Sequence, residues 1–264
     1  MASIGLESVV AAVAESKRYR HVAPAVIARL AAEELPKSAN AADAEKRTKR
    51  RLHQVFGAYH TALPWDKLLA RLAAVKDDAG AFRSACAEVM RGHASTAERL
   101  PELATFYERI FAITGVPNSV LDLACGLNPL ALPWMNLPAV ARYVAGDIDV
   151  EMARFLEGFF ALTPVDGRAE LIDLVAGSPV VEVDVALVLK TLPCLRHQIA
   201  DVGPVLDRIR ARWLVVSFPA RSLGNREKGM VEQYRAMFDA IGRPRGWRAT
   251  EIAFPSELVF VVAR

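Results

Sequence analysis

Four apolar runs of this 264-residue chain end in residues that can do chemistry: SVLDLACG (119–126), VAGDID (144–149), AELIDL (169–174) and LVLKTLPCL (187–195). At their ends stand Asp122 to Gly126, then Asp147, then Asp173, then Leu189 with Lys190. In an open parallel sheet the ligand lies outside the carboxyl ends of the strands, so these positions converge on one crevice. The first loop carries one glycine, Gly126, where a pyrophosphate-binding turn has three, and it offers few backbone N–H groups for close approach to a diphosphate. A nucleoside without phosphate asks for less: one close backbone approach, an acid for the ribose hydroxyls and a polar contact for the base.

S-adenosylmethionine meets those requirements. A bare turn at Gly126 and a strand-end cap at Asp147 also fit the spacing, because one glycine followed by an acid about 20 residues on is a weak fingerprint. Lys190, just past the fourth run, stands at the mouth of the same crevice. Cys194, in Pro193-Cys194, admits a rival role as the thiolate nucleophile of C5-cytosine methylation, but nothing nearby supplies the acidic partner that chemistry needs. The remaining cysteines, Cys86 and Cys125, are widely spaced and form no C-x-x-C pair, and the histidines lack ligand spacing, so no metal site is expected.

The elements that must position these residues change character along the chain. Residues 6–19, 24–35, 41–60, 65–75 and 79–94 place apolar side chains at three- and four-residue intervals, with Pro24, Pro36 and Pro64 at boundaries, which predicts a helical bundle. From residue 119 short apolar runs alternate with segments long enough for crossover helices, which predicts parallel strands in a βαβ arrangement. WRATEIAFPSELVFVVAR (247–264) reads as an antiparallel hairpin closing one sheet edge. The expected division is a helical domain over 1–105 and an α/β domain over 106–264, to which the charge and the resemblance described below assign RNA binding and catalysis.

The charge is uneven too. Residues 1–100 hold 16 Lys/Arg against 11 Asp/Glu, and residues 101–264 hold 17 against 19. A basic front joined to a near-neutral rear suits polyanion binding next to a catalytic unit, with Lys46, Arg47, Lys49, Arg50 and Arg51 as one cluster. No window approaches the ~18 apolar residues of a membrane span, and Glu7 and Glu15 interrupt the N-terminal apolar stretch, so a cytoplasmic chain without membrane partners is expected.

LDLACGLNPLALPWM (121–135), RGHASTAERL (91–100), LVLKTLPCL (187–195) and SFPARSLGNREKGM (217–230) together resemble the aminoglycoside-resistance 16S ribosomal RNA methyltransferases that modify N7 of a decoding-site guanosine. The resemblance runs from KRRLHQVFGAY (49–59) to the C-terminus, with Gly224-Asn225-Arg226 where the family usually has Gly-Gly-Arg; no motif of it is found in the first forty residues. It implies a class I, Rossmann-like methyltransferase with a mostly parallel seven-stranded sheet, acting on 16S rRNA in the small (30S) ribosomal subunit as a monomer. It implies that His93, Ala94 and Ser95 border S-adenosylmethionine, or its product S-adenosylhomocysteine, and that Arg99 binds the methionine carboxylate. Ala124 and Gly126 would approach the methionyl part, Asp147 the ribose, and Asp173 and Leu174 the adenine, with Leu189 and Gln198 completing the wall. Rossmann-type strand ends then leave Lys190 to position the base, and Arg221, Arg226 and Lys228 to join the front cluster on RNA. A small-molecule methyltransferase would need the cofactor residues without the basic helices; a catalytically silent RNA-binding protein would need the reverse.

Overall fold

The computed structural model describes residues 5–56, 63–177, 180–220 and 229–264. Its centre is a seven-stranded sheet in the order β3-β2-β1-β4-β5-β7-β6. The strands are β1 (Ser119–Leu123), β2 (Arg142–Asp147), β3 (Asp166–Leu171), β4 (Glu182–Leu189), β5 (Arg210–Pro219), β6 (Ala249–Ala253) and β7 (Glu257–Ala263). β1 to β5 pair in parallel, whereas β7 runs antiparallel between β5 and β6. The expected mostly parallel sheet and its terminal hairpin are therefore present, and the order reverses between β1 and β4, where a crevice opens at the strand ends.

The central strands are apolar on both faces, which is why they read as continuous runs rather than alternating ones. Val120, Tyr143, Val185, Leu187 and Val259 point to one side; Leu121, Val144, Ala186, Val188 and Leu258 point to the other.

Among the described residues twelve α-helices surround the sheet: α1 (Leu6–Ala14), α2 (Pro24–Glu34), α3 (Ala41–Val55), α4 (Trp65–Ala74), α5 (Ala79–Met90), α6 (Ala94–Arg99), α7 (Leu103–Thr114), α8 (Leu132–Met135), α9 (Val150–Phe160), α10 (Leu192–Arg196), α11 (Gly203–Asp207) and α12 (Met230–Gly242). One face is covered by α4, α5, α7 and α9 through Leu72, Phe82, Cys86, Phe106, Tyr107, Phe155 and Phe159, and the other by α10, α11 and α12 through Leu195, Leu206, Phe238 and Ile241. None of the described helices is long and apolar enough to cross a membrane.

The front of the chain packs as two groups rather than one bundle. Helices α1 to α3 have a core of their own, built from Val9, Val13, Val26, Ile27, Leu30, Ala44, Leu52 and Phe56. Helices α4, α5 and α7 share theirs with the sheet, and residue 105 falls inside α7, a helix outside the five that periodicity picked out. The α1–α3 group is tied to the end of β2: Val22 bridges Asp149, Ala23 N donates to Ile148 O at 2.8 Å, and Val150 N donates to His21 O at 2.8 Å.

Candidate active site

The strand ends force the backbone into the left-handed region three times within a short distance. Ala124 has φ 51°, Gly126 φ 52° and, after β4, Lys190 φ 57°. Two of these are not glycine, and strained backbone of this kind is held only where the surrounding structure fixes it, typically at functional sites. Gly126 is required on a second ground: a Cβ there would lie 2.8 Å from Cε1 of His93. One glycine suffices because only one position of this loop combines positive φ with close packing.

Asp147, at the end of β2, is gripped by backbone. Its Oδ2 accepts from Gly126 N at 2.9 Å, and its Oδ1 accepts from Ile148 N at 2.7 Å and Asp149 N at 3.2 Å. Burial raises its pKa against these hydrogen bonds, which favour the carboxylate. The acid is thus fixed in orientation, with one lone pair, on Oδ2, left for a hydroxyl donor.

Behind the first loop lies a buried polar network assembled from β1, α6, α7 and β7. Arg99 Nε donates to Glu257 Oε1 at 2.6 Å and its Nη1 to Asn128 Oδ1 at 2.6 Å, while Tyr107 Oη donates to the same Asn128 oxygen at 2.7 Å. Asn128 Nδ2 and Tyr143 Oη donate to Asp122 Oδ2 at 2.9 and 2.8 Å. Burial pushes the Asp122 carboxyl up to about 6 despite those two bonds. Burial also works against the Glu257 carboxylate, but the Arg99 and Lys190 charges and the hydrogen bonds from Arg99 and Ser217 prevail, so its pKa is lowered. His93 is driven down to about 4 by burial and by the Arg99 and Lys190 charges, which keeps its ring neutral at physiological pH.

Within this network Arg99 is 1% exposed, and its Nη2 has no hydrogen-bond partner. A buried guanidinium N–H left unmade is costly, and a carboxylate is the group that would satisfy it best.

Lys190 is buried as well: Nζ donates to Glu98 Oε2 at 2.7 Å and Ser95 O at 3.3 Å, and lies 3.4 Å from Glu257 Oε1. Its ammonium is held between α6 and β7 instead of standing free at a strand end.

One pocket collects nearly all of the expected site. His93, Ser95, Arg99, Ala124, Gly126, Asp147, Asp173, Leu174, Leu189, Lys190 and Gln198 line it, together with Cys194. Ala94 does not: it is exposed at the first position of α6, whose Ser95, Thr96 and Arg99 face inward. Three groups escaped sequence reasoning. Asn128, in the loop after β1, was assigned no role in the site, yet it joins Asp122 to Arg99. Glu257 read only as part of a hairpin turn, although a lone acid heading the apolar run LVFVV was a usable signal. Arg29 sits upstream of the motifs that carry the resemblance and reaches Asp173 and Gln198.

The basic cluster on α3 is mostly neutralised internally. Arg47 and Arg51 pair with Glu34, Arg51 also with Glu33, and Lys49 with Glu45. Among the described residues, Lys46 and Arg50 are exposed, one helical turn apart, and make no ion pair. Arg221, Arg226 and Lys228 lie outside the described residues.

Comparison with known proteins agrees with this arrangement. The ribosomal RNA methyltransferase (FmrO) family model matches residues 15–261. The chain belongs to this family. The match begins well upstream of residue 49, where the motif resemblance starts, so most of the front helices are family sequence too. A 16S rRNA (guanine(1405)-N(7))-methyltransferase of Frankia casuarinae is 45% identical over 96% of this chain and 91% of its own length. The enzyme of that name from Micromonospora echinospora is 40% identical over 98% of this chain and 97% of its own. Among solved structures, the 16S rRNA methyltransferase RmtF in complex with S-adenosyl-L-homocysteine superimposes with a TM-score of 0.86 at 34% identity, covering 98% of each chain. The 16S rRNA methylase RmtB gives 0.82 at 27% identity over 99% of each. Across this FmrO-family chain the class I methyltransferase fold is thus matched end to end.

Proposed function

We propose that this enzyme methylates N7 of guanine 1405 of 16S rRNA with S-adenosylmethionine, acting as a cytoplasmic monomer on the small ribosomal subunit and conferring aminoglycoside resistance. The observation that carries the reading is the unpartnered, buried Arg99 Nη2 in the same pocket as the backbone-fixed Asp147.

Arg99 would hold the methionine carboxylate and Asp147 the ribose hydroxyls, while Ala124, Gly126, His93 and Ser95 border the methionyl part. Asp173, Leu174 and Gln198 would receive the adenine, and Leu189 closes the wall. When bound, the cofactor's sulfonium supplies an electrophilic methyl group. Guanine N7 carries an in-plane lone pair that is unprotonated at neutral pH, so the protein has no proton to remove. The buried acids Asp122 and Glu257 are accordingly engaged in structure, not base catalysis.

What remains for the protein is alignment, and holding two reactants in line is worth roughly 7–11 kcal/mol. Lys190 is the candidate for positioning the base: a lysine donor suits guanine O6, and Glu98 and Glu257 fix where the ammonium sits. Exposed Lys46 and Arg50 would contact phosphate, joined by Arg221, Arg226 and Lys228. The guanosine must also leave its stack, at a cost of a few kcal/mol. A methyl group and a positive charge on N7 would then block and repel a cationic drug.

The test is transfer of labelled methyl to purified small subunits, naked RNA and aminoglycosides, with the modified base mapped by primer extension. Label on guanosine is expected, with Lys190→Ala slow at unchanged cofactor affinity and Cys194→Ser near the parent rate. Label on the drug alone, or a covalent RNA adduct with Cys194→Ala, would overturn the assignment.

A further inference from the structure

Arginine has five N–H donors and no acceptor, so any amide that binds it must present its oxygen. Arg29, on α2, is such a partner at the far end of the pocket. Its Nε donates to Asp173 Oδ2 at 2.7 Å, and its Nη2 to Asp173 Oδ1 at 3.2 Å and to Gln198 Oε1 at 2.9 Å. Nη1 donates to Glu33 Oε1 at 2.9 Å, and Val175 N adds a bond to Asp173 Oδ1 at 3.1 Å. The pair is partly shielded, with side-chain exposures of 17% for Arg29 and 11% for Asp173.

Arg29, Asp173 and Gln198 all line the pocket. With Gln198's oxygen turned to Arg29, its NH2 is the group it can offer a ligand, beside an Asp173 that can only accept. An acceptor next to a donor matches the 6-amino group and N1 of a 6-aminopurine, and opposes a 6-oxopurine, whose edge carries the reverse pattern. The same α1–α3 group is anchored by backbone bonds of His21 and Ala23 to Ile148 and Val150, just past Asp147.

We propose that Arg29 is a positioning residue that sets the hydrogen-bond polarity of the adenine end, so that cofactor recognition depends on the docked N-terminal helices. This rests on the pocket being the S-adenosylmethionine site.

The experiment is calorimetry of the full chain with S-adenosylhomocysteine and with its 6-oxo analogue, S-inosylhomocysteine. The parent should bind the first and reject the second by about a hundredfold or more, since unpaired buried polar groups are heavily penalised. Arg29→Met should weaken the adenosyl compound about tenfold and shrink the discrimination ratio, because Gln198 is then free to turn its amide. Arg29→Lys keeps the charge but holds fewer partners, so its ratio should fall between the two; it is the deciding variant if Arg29→Met does not fold. Weaker binding of both compounds with an unchanged ratio would make Arg29 a structural tie and overturn the proposal. A parent chain that binds neither compound would instead sink the cofactor reading itself.

Discussion

Arg99 and Arg29 each hold a carboxylate at opposite ends of one pocket, yet the two pairs are built differently. Arg99 and Glu257 are 1% and 0% exposed, and their neighbours Asn128, Tyr107, Ser217 and Lys190 belong to the sheet, its strand ends or helices sharing its core. Arg29 and Asp173 keep some solvent, and the arginine comes from helices with a separate core. A fully desolvated pair is costly to break because the survivor is stranded, whereas a partly solvated pair can be released at modest cost. The deep pair therefore suits a permanent anchor, and the shallow pair a contact that couples two parts of the molecule.

The largest expected effect lies at the deep end. Arg99→Met leaves Glu257 in the core with Lys190, 3.4 Å away, as its remaining counter-charge and should cost about 3–5 kcal/mol in denaturant unfolding. Arg99→Lys should recover part of that stability while cofactor affinity stays roughly a hundredfold down, because an ammonium cannot copy the guanidinium fork. Calorimetry showing Arg99→Lys and parent equal would take the carboxylate away from Arg99, and a larger affinity loss at Arg29 than at Arg99 would invert the comparison.

A smaller effect is expected on RNA. Reversing Lys46 and Arg50 to Glu should weaken small-subunit binding and reduce its salt slope by about one for each phosphate no longer neutralised. Both arginine pairs should survive, so cofactor affinity should not move. Including Arg51 in the reversal would be a poor test, since it ties α3 to Glu33 and Glu34 of α2. Unchanged subunit binding by the double variant would place the RNA surface elsewhere.

The smallest effect is a pH dependence confined to the deep end. Asp122 is raised from 3.8 to about 6, so between those values the folded chain keeps a proton that the unfolded chain has released, and stability falls as pH rises. His93 is lowered from 6.5 to about 4, so over nearly the same interval the unfolded chain binds the extra proton, and stability rises with pH. The two slopes oppose each other in the parent. Relative to it, Asp122→Asn should show a steeper gain in stability from pH 4 to 6, and His93→Asn a shallower one, as read from urea midpoints. Parallel profiles for all three would mean that neither group titrates as its surroundings dictate.

Much of this was legible in the chain itself. Doubly apolar runs marked the central strands because a sheet covered on both faces buries every residue, and the acids and glycine at their ends marked Asp147, Asp173 and Gly126. Three- and four-residue periodicity found α1 to α5, although 57–60, the end of the third predicted helix, lie outside the described residues. It missed α7 and the split of the front helices into two groups, since periodicity shows that a helix has an apolar face but not which partner covers it.

The residue types and their local spacing thus determined the strands, the glycine required in the first loop and the family membership. Only the tertiary structure decided which charges meet. Arg99 and Glu257 are 158 positions apart and Arg29 and Asp173 are 144 apart, so neither pair leaves a local signature. The same holds for the α3 cluster, where sequence counts five positive charges but packing against α2 leaves Lys46 and Arg50 exposed, with no ion pair among the described residues. Propensity and periodicity act within a few residues, whereas electrostatic pairing is settled by what the folded chain brings within hydrogen-bond reach.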